Sequence, residues 1–328
     1  MIVRRLVLLA LFISALALAV AGCGGGSSSS SSGGSSTSST NSAAKTGSAD
    51  SSGETDTTAD SSEADESAGT GEIKAVWQKP RGEENKIGYE LLKASETRYL
   101  AKSLASAFEL PNTLTIKGVN GFGGGPFYNP EDNSITLPYE FTTVVLGVVA
   151  QSDPEESQYE MGEAVGAVDS FILAHEFAHA LIHNFELPVL GREEDAADGI
   201  ATALLLLAGE GSVYAADAAE FWLNFSGRQN PPALAEYADN HSFDRQRADN
   251  ILCWIGGAEE ELLVAFVENE VLPESRAVSC PGEWELLRRS VEQVMEPHLQ
   301  HPLNLQPGIG AEAEREEAEE EKKSAAEG

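Results

Sequence analysis

The sequence predicts an α+β fold: a small N-terminal sheet followed by a mostly helical remainder. Three observations carry this. Between Ile73 and Leu137, short stretches alternate apolar and polar residues, the period of a half-buried strand. From Tyr139 onward, apolar residues recur at helical spacing in one segment after another. Strands come first and helices after, which is the α+β order rather than the alternation of a parallel α/β sheet.

The chain starts outside that domain. Residues 1–22 read as a secretory leader: Arg4 and Arg5 form a charged start, Leu6 to Val20 an apolar run, and Ala21 and Gly22 a small-residue end. Length alone would also suit a membrane span. The end of the run selects the leader, because Val20-Ala21-Gly22-Cys23 resembles the lipobox of bacterial lipoproteins. The resemblance implies cleavage before Cys23, a lipid on its thiol, and attachment to the extracytoplasmic face of the cell membrane. Residues 23–72 are that cysteine and a Ser/Gly-rich linker with almost no large apolar side chain. Such a chain cannot offset its ordering entropy, so it is expected to be a flexible tether of about 35–40 Å. At the other end, residues 303–328 form an acidic tail, expected to be solvated.

Residues 73–302 have the composition and size of one domain. Ile73, Ala75 and Trp77 alternate as a strand. Ile87, Leu91, Leu100, Leu104 and Phe108 follow at helical spacing, ended by Pro111. Thr113 to Lys117 alternates again. The glycines from Gly121 to Gly125 do not open a periodic helix, which excludes a phosphate-binding loop. Asp132-Asn133 reads as a turn and Ile135 to Leu137 as a strand. Helices are expected over residues 139–151, 163–183, 191–208, 214–225, 243–256, 258–269 and 282–296.

Charge excludes two function classes. With 21 basic and 53 acidic residues the net charge is −32, the wrong sign for meeting nucleic-acid phosphates or an anionic bilayer. Three cysteines are too few for a disulfide-built scaffold. With Cys23 lipidated, Cys253 and Cys280 remain, and export allows them to pair.

One motif carries specific chemistry. His175-Glu176-Phe177-Ala178-His179 is H-E-x-x-H, which chance produces in roughly one of a hundred chains of this composition. Apolar residues flank it on both sides, so two histidines there are costly without a partner. Four-residue spacing puts both on one helix face, where both can reach one metal ion. Glu176, beside the first histidine, can act on an activated water. His183 continues the series but lies about 12 Å along the axis from His175, too far to share the ion. Ile182 and Phe185 stand where the metzincin extension needs Gly and His, which excludes that class.

A third ligand has to come from another segment. After the Leu187 to Leu190 turn, Glu194 and Asp198 share a face that Ala201 and Leu205 continue inward. Glu193 and Asp195 point about 100° away and are expected to be solvated. This E-x-x-x-D resembles the second helix of the gluzincins, the thermolysin-like zincins. The resemblance implies Glu194 as the zinc ligand, with Asp198 hydrogen-bonding His175; Asp198 as ligand is the alternative. The whole run from His175 to Asp198 resembles an uncharacterised family of bacterial metallopeptidases. So do Phe127-Tyr128-Asn129-Pro130, Pro138-Tyr139-Glu140, His241 to Arg247, and Ile251-Leu252-Cys253-Trp254. That resemblance implies a zincin-like domain, a peptidase activity, and a peptide or protein as substrate. His241 precedes a helix that Ser242 could cap, and can either stabilise the reaction's tetrahedral intermediate or serve as a capping histidine. Tyr214 and Tyr237 are lesser candidates for that role.

The expected protein is therefore a lipid-anchored, extracytoplasmic zinc metallopeptidase, with Zn2+ on His175, His179 and Glu194 and with Glu176 as general base. The Ile135 to Leu137 strand is expected at the cleft edge, open to an added peptide strand. The alternative is a non-catalytic surface module with a structural metal; Glu176 separates the two, since a structural site has no need of a base.

Overall fold

The computed structural model describes residues 3, 5–7 and 71–299, apart from residues 96, 122, 153, 155–156, 208–210 and 227–239. The rest of the expected leader, Cys23, the linker as far as residue 70, the acidic tail and Tyr237 lie outside the described residues. Among residues 1–22, Val3 and Val7 are buried, and the Val3 N–H donates to Glu220 Oε2 at 3.0 Å.

The fold is α+β, as the order of periodicities predicts. Strands β1 (Ile73–Trp77), β2 (Leu114–Val119), β3 (Phe127–Asn129) and β4 (Ser134–Pro138) form one mixed sheet in the order β1-β2-β4-β3. The first two pairings are parallel, with Ala75 opposite Ile116 and Ile116 opposite Ile135. The parallel β1–β2 pair needs a crossover, supplied by α1 (Glu83–Ala94) and α2 (Thr97–Ala107). These two helices replace the single helical stretch that the spacing from Ile87 to Phe108 suggests.

Strand β3 pairs antiparallel with β4 and was not legible as a strand, because three residues are too few for a period. Its position is set by the backbone on either side. Gly121, Gly123, Gly124 and Gly125 all have positive φ, which glycine adopts without a Cβ clash. On the far side Asn133 takes φ 47° in the tight turn to β4. The order also corrects one expectation. β4 is not at the cleft edge, since β2 and β3 occupy its two sides; β3 and β1 are the outer strands, and β3 is the one beyond β4.

The helical part is built around α4 (Gln158–Asn184). It starts five residues before the expected position, because Ser157 and Glu160 form a reciprocal capping box. Every residue from Ala164 to Ile182 is buried. An apolar helix of this length could cross a membrane, but here the apolar stretch lies wholly inside the domain. It packs against α3 (Tyr139–Ser152), α5 (Glu193–Leu207), α6 (Ser212–Ser226) and α2. Outside these lie α7 (Asp244–Ala258), α8 (Glu260–Glu268), the short α9 (Glu274–Ala277) and α10 (Cys280–Met295).

Cys253 of α7 and Cys280 of α10 form a disulfide, with Cα atoms 4.9 Å apart. The two helices come this close because residue 257 is glycine: a Cβ there would sit 2.3 Å from the Cys280 carbonyl oxygen. The bridge spans 27 residues, so replacing both cysteines with alanine should lower the unfolding free energy by about 3–4 kcal/mol in chemical denaturation.

Deep in α4, Asp169 is buried with Thr142 Oγ1 at 3.3 Å and, among the described residues, no hydrogen bond to Oδ2. Burial pushes its carboxyl up to about 8, only partly offset by Thr142. The folded chain therefore keeps a proton that the unfolded chain releases near pH 4. The group's contribution to stability is complete below that pH. It is lost as pH rises toward 8, by at most about 1.4 kcal/mol per unit. Asp169→Asn should gain on the wild type in denaturation midpoint between pH 5 and pH 8.

Candidate metal centre

The site forms where α4 ends and α5 returns beside it. α4 stops in a Schellman arrangement: Glu186 takes φ 48°, and the Leu187 N–H donates to the Ile182 carbonyl at 2.9 Å. The reversal brings the first two turns of α5 against the last three of α4. His175 and His179 on α4 then face Glu193, Glu194 and Asp198 on α5.

Each α4 histidine is held from its outer nitrogen. His175 Nδ1 lies 2.8 Å from Asp198 Oδ1. Asp198 also accepts two bonds from Arg247 of α7, Nε to Oδ2 and Nη2 to Oδ1, both 2.8 Å. The Arg247 guanidinium stacks on the Trp222 ring at 4.0 Å. Burial alone would favour a neutral Asp198. The charge and hydrogen bonds of Arg247, with His175, outweigh it and hold the carboxyl well below the usual range. An ionised Asp198 only accepts, so His175 carries its proton on Nδ1 and turns Nε2 inward. His179 has the same arrangement, with Nδ1 2.7 Å from Glu193 Oε1. His183 Nε2 reaches that same oxygen at 3.1 Å.

The inner nitrogens converge. Nε2 of His175 and Nε2 of His179 are 3.3 Å apart, and lie 3.1 and 3.3 Å from Glu194 Oε2. His241 adds a fourth donor, its Nε2 3.0 Å from the same oxygen. The His241 ring is nearly parallel to that of His175 at 6.5 Å, and its carbonyl accepts from Arg192 Nη1 at 3.2 Å. Burial opposes charge on Glu194, but bonds from three histidines drive its pKa far below normal. Burial also opposes charge on His175, and Asp198 and then Glu194 overcome it, lifting the ring to about 9. His175, Glu194 and His241 offer ligand atoms within 4.8 Å of one another, a grouping that could hold a metal ion.

Glu176 is buried beside this cluster. Burial raises its pKa, countered by the two neighbouring histidines and by a hydrogen bond from the Tyr128 backbone. The cluster opens into a cleft of about 530 Å³. Phe127, Tyr128 and Pro130 line one wall, Arg192 and Asn240 another.

His175, Glu176, His179, Glu194 and His241 thus meet in one cleft, with Asp198 behind His175. Tyr214 is buried in the core and does not line the cleft. Two expectations are corrected. Glu193 is not simply solvated: a 100° offset turns it away from Glu194's target, but its side chain still reaches His179 one turn along the facing helix. The α7 cap is Phe243, not Ser242, because Gln246 reaches back to the Phe243 N–H at 3.2 Å. Arg247 has a role that sequence reasoning did not assign. Its signal was a charge beside Ala248, Ile251 and Leu252 on a face that had to be buried.

Fold and site define an α+β domain whose H-E-x-x-H core helix faces a carboxylate-bearing partner helix. The chain belongs to the family described as "Putative metallopeptidase", whose model matches residues 77–295. Comparisons with curated proteins and with solved structures find no match.

Arg247→Met should cost about 3–5 kcal/mol in chemical denaturation, because it removes two hydrogen bonds and a full charge from the buried Asp198 and leaves His175 to balance it. Adding Asp198→Asn should recover part of that loss.

Proposed function

We propose that this protein is a zinc-dependent peptidase of the zincin class, gluzincin type, carried on the extracytoplasmic face of the membrane by a lipid on Cys23. His175, His179 and Glu194 would hold the ion. The observation that carries this reading is the spacing of their three inner atoms, 3.1–3.3 Å. Tetrahedral zinc with bonds of 2.0–2.1 Å needs ligand atoms about 3.3 Å apart. The donor set also fits, since each histidine donates from Nδ1 to a carboxylate, and loss of the Nε2 proton that now meets Glu194 would leave that nitrogen to ligate a metal. Imidazole with carboxylate favours zinc over the harder alkaline-earth ions.

When bound, zinc supplies Lewis acidity, lowering the pKa of a water and polarising a carbonyl. The chain's own residues do the rest. Glu176, its basicity raised by burial, takes a proton from the attacking water on its carboxylate and returns it to the leaving amine. The Tyr128 N–H holds that carboxylate in place. His241 Nε2 donates toward the scissile carbonyl oxygen as negative charge develops there. The substrate would be an extended peptide added along the free edge of β3, beside Phe127.

Purified protein should contain about one zinc per chain, lost in His175→Ala and in Glu194→Ala. Glu176→Gln should keep the metal and lower hydrolysis of an unstructured protein substrate by about 10²–10⁴-fold. A folded wild type that takes up no zinc when the ion is supplied overturns the reading.

A further inference from the structure

We propose that Arg192 selects the substrate, by taking a carboxylate of the bound peptide into the cleft beside the metal centre. The inference rests on the peptidase reading above and names the class of peptide it acts on. Among the described residues that line the cleft, Arg192 is the only lysine or arginine, whereas Glu176, Glu193 and Glu194 line it too. It immediately precedes Glu193, Glu194 and Asp195 in the chain, yet it forms no ion pair with any of them. Glu193 is taken by His179 and His183, and Glu194 by three histidines. Among the described residues, the one hydrogen bond of the guanidinium runs from Nη1 to the His241 carbonyl, at 3.2 Å. The planar fork of an arginine carries several more N–H donors. A cation and most of its donors therefore remain for a ligand.

Position and chemistry agree on what that ligand is. His241 links the guanidinium to the centre: its carbonyl meets Arg192, and its ring meets Glu194 Oε2 at 3.0 Å. A group held by Arg192 is thus one histidine away from the atoms that would act on a peptide bond. At about 3.3 Å per extended residue, it belongs within a few residues of the scissile bond. A guanidinium matches a carboxylate with two parallel hydrogen bonds. The wall formed by Phe127, Tyr128 and Pro130 offers such a group no charge. The net charge of −32 repels an anionic peptide at a distance, but that field is screened beyond about 8–10 Å. Inside the cleft, three carboxylates make a further anion costly everywhere except at Arg192. This one residue therefore decides whether an acidic peptide is refused or held, and where its acid sits. An acidic side chain and a peptide's own C-terminus present the same two oxygens.

The test uses the full chain in detergent, supplied with zinc and carrying Glu176→Gln so that peptides bind without being cut. A labelled neutral, amidated peptide is compared with versions bearing one glutamate at successive positions, a free C-terminal carboxylate, or one lysine. Fluorescence anisotropy reads the dissociation constants. With Arg192 intact, the best-placed carboxylate should bind about 10- to 100-fold more tightly than the neutral peptide. A preference for glutamate at one position identifies a side chain as the ligand; a preference for the free C-terminus identifies the α-carboxylate. Arg192→Ala should abolish the preference, Arg192→Lys should keep part of it, and Arg192→Glu should transfer it to the lysine peptide. Equal affinity for acidic and neutral peptides with Arg192 intact would overturn the proposal. So would an Arg192→Ala loss shared equally by every peptide, since Arg192 would then only hold the His241 segment. In both cases peptides still bind, and the peptidase reading stands. A chain that binds none of the peptides would remove that reading, and this inference with it.

Discussion

The centre of this molecule depends on a buried carboxylate that stays charged. Asp198 lies in the core, where a lone charge would be neutralised or expelled. Arg247 prevents that with two hydrogen bonds and its own charge, and is itself sandwiched against Trp222. One result is mechanical, since α5, α6 and α7 are tied together at one point. The other is chemical. An Asp198 that can only accept fixes a proton of His175 on Nδ1, so that Nε2 faces inward, toward Glu194. A buried pair of this kind adds little net stability compared with an apolar replacement. Its value here is orientation.

Around that pair, negative charge accumulates. Glu176, Glu193 and Glu194 face the same small cleft from adjacent helices, while Arg247 is already committed to Asp198. The histidines relieve part of the repulsion by sharing protons with Glu194 and Glu193. A divalent cation would relieve it more completely, since it could bind Glu194 and both inner nitrogens at once. The arrangement also divides labour by position. Asp198 and Glu193 hold the histidines from behind, and Glu194 meets them in front. Glu176 differs from both arrangements, with a raised pKa and a backbone donor from β3.

The sheet contributes less to the core than the helices do, but it builds one wall of the site. Four glycines at positive φ and the turn at Asn133 hold β3 as a short free edge over the end of α4. The Tyr128 ring meets His183 at 5.5 Å, and its backbone meets Glu176. The edge of the sheet and the core helix are therefore joined at the cleft, where one strand meets both His183 and Glu176.

Much of this was legible without coordinates. The H-E-x-x-H spacing, the inward pair Glu194 and Asp198, the α+β order and most helix positions follow from periodicity and side-chain chemistry, which are local properties. Local rules were silent on four points. They missed β3, because three residues carry no period and its place comes from pairing with β4. They placed β4 at the edge, because strand order depends on which segments meet in space. They left Glu193 in solvent, because a helix projection says nothing about a neighbouring helix that its side chain can reach. They gave Arg247 no partner, because 49 residues separate it from Asp198. The sequence by itself determined the chemistry available here, since a donor's type and its spacing on one helix are set by covalent geometry. Only the tertiary structure decided which donors share a centre, because that depends on how α4, α5 and α7 pack, and packing joins residues that the chain keeps far apart.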